Sequence, residues 1–311
     1  MEGIVIKSTG SWYVVKYGEE KIDCKIKGKL RIKGIKTTNP VAVGDRVDFE
    51  ILQKENIGVI RKINQRNNYI IRKATKLSKV SHIIASNIDQ AFLIVTLAYP
   101  RTSTGFIDRF LVTAEAYNIP VIIVFNKIDI YNDEIKKRQE ELVEIYSKIG
   151  YKNISVSALR GDNIDLLKSL IKDKINLFSG HSGVGKSTLI NVIQPGLNLR
   201  TSYISKQHNK GRQTTTNAEM LELSFGGYII DSPGIKEFGL IDFKKDEVPH
   251  YFPEMRALMN DCKFNNCTHT HEPECAVKKA VENGDISTSR YNNYLSILND
   301  EYFEEKEWEK K

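Results

Sequence analysis

Between residues 3 and 65 the apolar positions fall in short alternating runs, 3–7, 11–17, 21–26, 46–52 and 57–63. Gly18-Glu19-Glu20, Gly28 and Val43-Gly44-Asp45 punctuate them. Alternation with period two predicts strands with one buried face. Five short strands fit a small barrel, and by strand count alone an oligonucleotide-binding (OB) barrel and an SH3-like barrel fit almost equally. After a basic stretch read as a linker, 66–80, the pattern changes. Continuous apolar runs at 91–95 and 121–125 alternate with helical periodicity at 106–117 and 133–149, and further strand-like runs follow at 153–156, 175–178 and 228–230. Strands apolar on both faces, separated by helices, predict a parallel α/β sheet. From about Lys244 the chain reads as helices around a Cys/His cluster, ending in a charged stretch, 299–311, read as a solvated helix. The expected organisation is multidomain: an OB-type barrel over 1–65, an α/β core over 66–243 and a helical metal-binding module over 244–311.

Composition narrows the class. In 311 residues, 41% apolar, the longest apolar runs are strand-length, so neither export nor a membrane span is expected, and the chain is placed in the cytoplasm. Three of the four cysteines crowd into 262–275 beside histidines, which suggests metal in a reducing compartment rather than a disulfide scaffold. The net charge of +7 is uneven: residues 1–80 carry 18 Lys/Arg against 8 Asp/Glu, a balance of +10 that leaves −3 for the rest. A localised basic surface is the footprint of a polyanion partner, and equally of a solvated face that serves solubility.

The chemistry is carried by motifs that each follow a predicted strand. Gly180-His181-Ser182-Gly183-Val184-Gly185-Lys186-Ser187, followed by Thr188, matches the phosphate-binding loop between a strand and a helix. Glycines there let backbone N–H groups wrap a β-phosphate, Lys186 reaches the β and γ oxygens, and Ser187 is suited to ligate Mg²⁺. Asn126-Lys127-Ile128-Asp129 ends the 121–125 run. A carboxylate at Asp129 can accept both N1–H and the 2-amino group of guanine, which adenine cannot offer. The Lys127 stem can cover the base, Asn126 can tie the loop to the phosphate side, and Ser157-Ala158 can offer a backbone N–H to guanine O6. Asp231-Ser232-Pro233-Gly234 is a D-x-x-G arrangement in which Asp231 holds Mg²⁺ through water and the Gly234 N–H meets the γ-phosphate. The polar stretch 209–216 suits a switch loop, with Thr214 or Thr215 completing the Mg²⁺ shell. The site expected is one for GTP and GDP with Mg²⁺.

The usual GTPase order runs phosphate loop, switch threonine, D-x-x-G, N-K-x-D, S-A. Here N-K-I-D and S-A come first, and a sheet defined by contacts rather than chain order can keep the same site after such a permutation. With Asn87-Ile88-Asp89-Gln90, 180–188, 211–216 and the Cys/His segment, the arrangement resembles the circularly permuted ribosome-biogenesis GTPases of the RsgA or YjeQ family over nearly the whole chain. The resemblance implies a GTPase that binds the small ribosomal subunit and its rRNA, is stimulated by it, and acts late in its maturation. The family has a histidine where this chain has Gln213. The catalytic group is therefore unassigned, with Gln213, Thr214 and Lys186 as candidates, and apolar Ile235 cannot position the attacking water.

Cys262, Cys267 and Cys275 with an imidazole supply the composition of a closed structural Zn²⁺ site. His269 and His271 are both within range by spacing; the family pattern favours His269. One structural zinc per monomeric chain is expected. The competing function classes are a nucleotide-gated RNA-binding switch whose turnover is incidental and a metabolic or transport P-loop enzyme, the latter disfavoured by N-K-I-D.

Overall fold

The computed structural model describes residues 1–26, 40–53, 55–73, 81–199, 219–231 and 245–299. The five alternating runs form β1 (Glu2–Ser8), β2 (Tyr13–Tyr17), β3 (Glu20–Ile26), β4 (Arg46–Leu52) and β5 (Ile57–Ile63). β1 pairs with β2 and with β4, β2 with β3 and β4 with β5, all antiparallel, while β3 runs parallel to β5. The circuit closes into a five-stranded barrel of the OB type, which resolves the choice that strand count left open. The inward positions of the alternation, Val5, Tyr13, Val15, Ile22, Val47, Phe49 and Ile60, make its core with Cys24, which is a packing residue.

The stretch read as a linker contains a strand. β6 (Tyr69–Lys73) pairs antiparallel with β7 (Ser81–Ser86). Arg66, at its start, is anchored: its guanidinium donates to both carboxylate oxygens of fully buried Asp45 at 2.6 Å. Asp45 also accepts from the Ser86 hydroxyl at 2.6 Å and the Ala42 amide at 2.8 Å, and the Asn87 side chain donates to the Gly44 carbonyl at 2.9 Å. The basic composition misled because the decisive arginine is spent inward, on a buried partner 21 residues away.

The core consists of β8 (Gln90–Val95), α1 (Thr104–Ala116), β9 (Val121–Phe125), α2 (Asp133–Lys148), β10 (Lys152–Ser155), α3 (Ile164–Ile171), β11 (Ile175–Ser179), α4 (Lys186–Ile193), β12 (Glu219–Glu222) and β13 (Tyr228–Asp231). Its strands lie in the order β10-β9-β8-β11-β13-β12, parallel except for β12. Residues of α1 and α2 (Ile107, Phe110, Leu111, Leu142, Tyr146) pack on one face and residues of α3 and α4 (Ile164, Leu167, Leu189, Ile190) on the other. Strands covered on both sides must be apolar throughout, which is why β8 and β9 read as unbroken hydrophobic runs. Edge strand β12 pairs with β1, so barrel and core share one 11-stranded sheet. Lys7 with Glu219, and Lys16 and Lys21 with Glu222, line that seam as ion pairs.

The C-terminal segment holds α5 (Pro253–Arg256), α6 (Ala276–Glu282) and α7 (Thr288–Leu298) around the cysteines. It is fixed to the core through Arg290 on α7, which is 1% exposed. Arg290 donates to Asp108 of α1 at 2.7 Å and to both oxygens of Glu254 at 2.8 and 3.1 Å. Burial opposes its charge, but the two carboxylates outweigh that effect and hold the guanidinium protonated. Asp108 further accepts from Asn293 at 2.5 Å and from the Tyr146 hydroxyl at 2.9 Å. Among the described residues no helix is long and apolar enough to cross a membrane.

Candidate nucleotide and metal sites

β9 is buried over its length and delivers Asn126, Lys127 and Asp129 to the carboxyl end of the parallel sheet, where such sheets place ligands. Asn126, 1% exposed, donates from Nδ2 to the Val184 carbonyl at 2.8 Å and accepts at Oδ1 from the Ala158 amide at 3.3 Å. One buried side chain thus joins segments 58 and 32 residues away. Lys127 takes a left-handed backbone conformation, φ +64°, and its ammonium donates to the carbonyls of Gly183 at 2.7 Å and Tyr99 at 2.6 Å. Partial burial lowers its proton affinity, and Asp129 opposes that. The Asp129 carboxylate accepts from the Ser157 hydroxyl at 2.6 Å, which fixes its plane. N-K-I-D, S-A and the phosphate loop therefore meet, although N-K-I-D and S-A precede the loop in the chain.

The phosphate loop leaves β11 at Ser179. At Gly180 a Cβ would lie 2.5 Å from the Ile94 carbonyl, and at Gly185, with φ +89°, it would lie 2.6 Å from Asn126 Nδ2. The second clash shows that Gly185 is needed for contact with the base-side loop as well as for the turn. His181 packs its ring on Phe106, in the first turn of α1, with centroids 3.6 Å apart and planes 31° from parallel. Helix α4 starts at Lys186, so Ser187 and Thr188 fall in its first turn. The Lys186 ammonium makes an ion pair with Asp231 at the end of β13. The lysine of one motif and the carboxylate of another thus face each other across the site. Gln213, Thr214, Thr215 and Gly234 lie outside the described residues, as does 300–311.

Two bracing elements escaped the sequence reading. The Tyr131 hydroxyl donates to the Asn126 carbonyl at 2.8 Å and accepts from the Leu97 amide at 2.9 Å. Burial pushes that hydroxyl up to about 12, so it stays a donor at any physiological pH. The loop after β8 supplies the Tyr99 carbonyl that holds Lys127. A tyrosine two residues past the motif and a main-chain acceptor leave no mark in composition or spacing.

Cys262, Cys267, His269 and Cys275 are all buried, and one ligand atom from each lies within 4.8 Å of the others. His269 Nδ1 is 3.3 Å from Cys275 Sγ and 3.6 Å from Cys262 Sγ. His271 is exposed, its Nδ1 2.9 Å from the Thr270 hydroxyl. Burial pushes the Cys267 thiol up to about 12, raises that of Cys275, and lowers the proton affinity of His269. Three buried cysteine sulfurs around an imidazole are the donor set of a soft cation, and the four can hold a metal ion.

A family model described as RsgA GTPase matches residues 63–241, and one described as RsgA N-terminal domain matches residues 2–60. The chain is 55% identical over 301 residues to a protein of Bacteroides thetaiotaomicron named small ribosomal subunit biogenesis GTPase RsgA 2, covering 96% of this chain and 97% of that one. It is also 55% identical to a Flavobacterium psychrophilum protein named small ribosomal subunit biogenesis GTPase RsgA, covering 96% and 92%. Among solved structures it is similar to YjeQ from Thermotoga maritima, with TM-score 0.79, 38% identity and coverage of 96% and 98%. It is likewise similar to YloQ, described as a circularly permuted GTPase, with TM-score 0.72, 30% identity and coverage of 96% and 94%.

Proposed function

The chain belongs to the RsgA GTPase family, and on that premise we propose that it binds the small ribosomal subunit and hydrolyses GTP, stimulated by the subunit, late in that subunit's maturation. The observation that carries the reading is Asn126, whose two hydrogen bonds join the base-side motif to the phosphate loop and to Ser157-Ala158. In this reading Asp129, held by Ser157, accepts from N1–H and the 2-amino group of guanine. The Lys127 stem, its ammonium held by two carbonyls, covers the base, and the amides of 180–188 and Gly234 surround the phosphates. A water attacks the γ-phosphorus, the bond from that phosphorus to the β–γ bridging oxygen breaks, and Lys186 neutralises charge on the oxygens that GDP carries away.

The oxygen donors Ser187 and Asp231, with Thr214 or Thr215, suit Mg²⁺, which when bound supplies charge neutralisation across the β and γ oxygens. Lys186 and Asp231 face each other as an ion pair, which sets the phosphate-binding cation beside the proposed Mg²⁺ carboxylate. Zn²⁺ is the metal that three thiolates and one imidazole favour. It would be structural, since Cys262, Cys267, His269 and Cys275 fill all four positions. The protein acts in the cytoplasm as a monomer, and its basic barrel supplies the charge for rRNA.

Base reading is tested by nucleotide competition on the intact protein. Asp129→Asn should weaken GTP binding at least about 100-fold, because a buried acceptor is replaced by a mismatched donor, and should raise affinity for xanthosine triphosphate. GTP affinity unchanged in the variant, or a parent protein that prefers ATP, contradicts the assignment.

A further inference from the structure

Helix α1 is gripped at its first two turns from opposite sides. On one side His181, inside the phosphate loop, lies on the Phe106 ring with centroids 3.6 Å apart. On the other, Asp108 is fully buried under Arg290, Asn293 and Tyr146, two of them on α7 of the C-terminal module. The two contacts leave the helix two residues apart, on a stretch whose N-cap is closed by the Ser103 side chain accepting from the Phe106 amide at 3.3 Å. Val112, one turn beyond Asp108, belongs to the same apolar cluster as Phe252, Met255 and Tyr294 of the module. A rigid helical turn with a phosphate-loop ring on one side and a buried ion pair on the other cannot shift at one contact without loading the other.

We infer that His181 is a positioning residue, setting the phosphate loop against α1 through its stack on Phe106, and that Asp108 and Arg290 make the C-terminal module a partner in that placement. Nucleotide binding and the stability of α7 are then linked, and linkage is reciprocal. The inference rests on the reading of 180–188 as the phosphate site. It adds a route of coupling, from the phosphates to the module through α1. His181 does not have to touch the reacting atoms; its ring acts through the loop backbone on either side of it.

The test uses the full chain, GDP titrations and hydrogen–deuterium exchange of α7. His181→Ala removes the stack and should weaken GDP binding by about 3- to 10-fold, the range an aromatic pair supports, while His181→Phe should return it to within about twofold of the parent. In the parent and in His181→Phe, saturating GDP should slow exchange across Thr288–Leu298; in His181→Ala at saturating GDP that slowing should be lost. His181→Ala with unchanged affinity, or His181→Phe as impaired as His181→Ala, overturns the positioning role. Exchange in α7 that ignores GDP in the parent, or responds to it equally in His181→Ala, overturns the coupling. A parent that binds no GDP would sink the phosphate-site reading itself, an outcome distinct from all of these.

Discussion

Several side chains here do their work by joining segments that the sequence keeps far apart. Asn126 unites three motifs, Asp45 receives Arg66, and Lys186 meets Asp231. Lys186→Ala should abolish turnover, with kcat falling below detection in a phosphate-release assay. The thermal midpoint should stay near that of the parent, since the lysine sits at a site edge rather than in the core. A variant with normal kcat would remove the phosphate loop from the account. Arg66→Ala is the converse case, because it leaves the Asp45 carboxylate buried without its cation. A loss of about 3–5 kcal/mol of stability is expected in denaturant titration, with the nucleotide motifs untouched. A loss below about 1 kcal/mol would show that the seam is not held there. The residue types of the proposed nucleotide site could be named from the sequence because phosphate and guanine chemistry calls for them at fixed spacing. Tyr131, the Tyr99 carbonyl and the Arg66–Asp45 pair were not, because each depends on which loops the fold brings together.

At the level of elements, strands covered on both faces were the most legible: the limits of β9 match its apolar run, 121–125. Half-buried β4 and β5 were equally clear from their alternation. The hairpin of β6 and β7 was hidden by its basic residues, and β12 by its glutamates, which pair with barrel lysines along an exposed seam. The charge on these strands was read without the cross-strand partners that the fold gives it. The metal loop shows the opposite: three cysteines and a histidine close together in a polar, loop-like stretch have the composition of a metal site, and the structure brings the four together. Purified protein should hold about one zinc per chain by metal analysis. Cys267→Ala or Cys275→Ala should lose it together with protection of α6 and α7 in hydrogen exchange. Zinc-free protein with reactive thiols and unchanged exchange would count against a structural metal.

The molecule as a whole is a permuted sheet with a module tied at each flank, the barrel through β1, β12 and Asp45, the C-terminal segment through Arg290 and Asp108. Residues 1–65 read as a barrel of their own from their alternation, and Ile6 and Val43 of that stretch also belong to the apolar cluster of the core. The modules are therefore parts of one packed body, and whatever nucleotide state changes has to work against buried polar clamps at both ends. Residues 1–80 carry a balance of +10, and if this charge serves the rRNA partner proposed above, affinity for small subunits should fall steeply with added salt. The position usually held by a water-orienting glutamine is the apolar Ile235. Slow hydrolysis is therefore expected of the protein alone and faster hydrolysis of the proposed complex with the subunit. Phosphate release from GTP by the intact protein, measured with and without purified small ribosomal subunits, tests this most directly. The account predicts a rise in kcat of about tenfold or more on adding subunits, as expected when a partner orders the attacking water. Turnover that is the same with and without subunits would contradict it, leaving a nucleotide-gated binding protein whose hydrolysis is incidental.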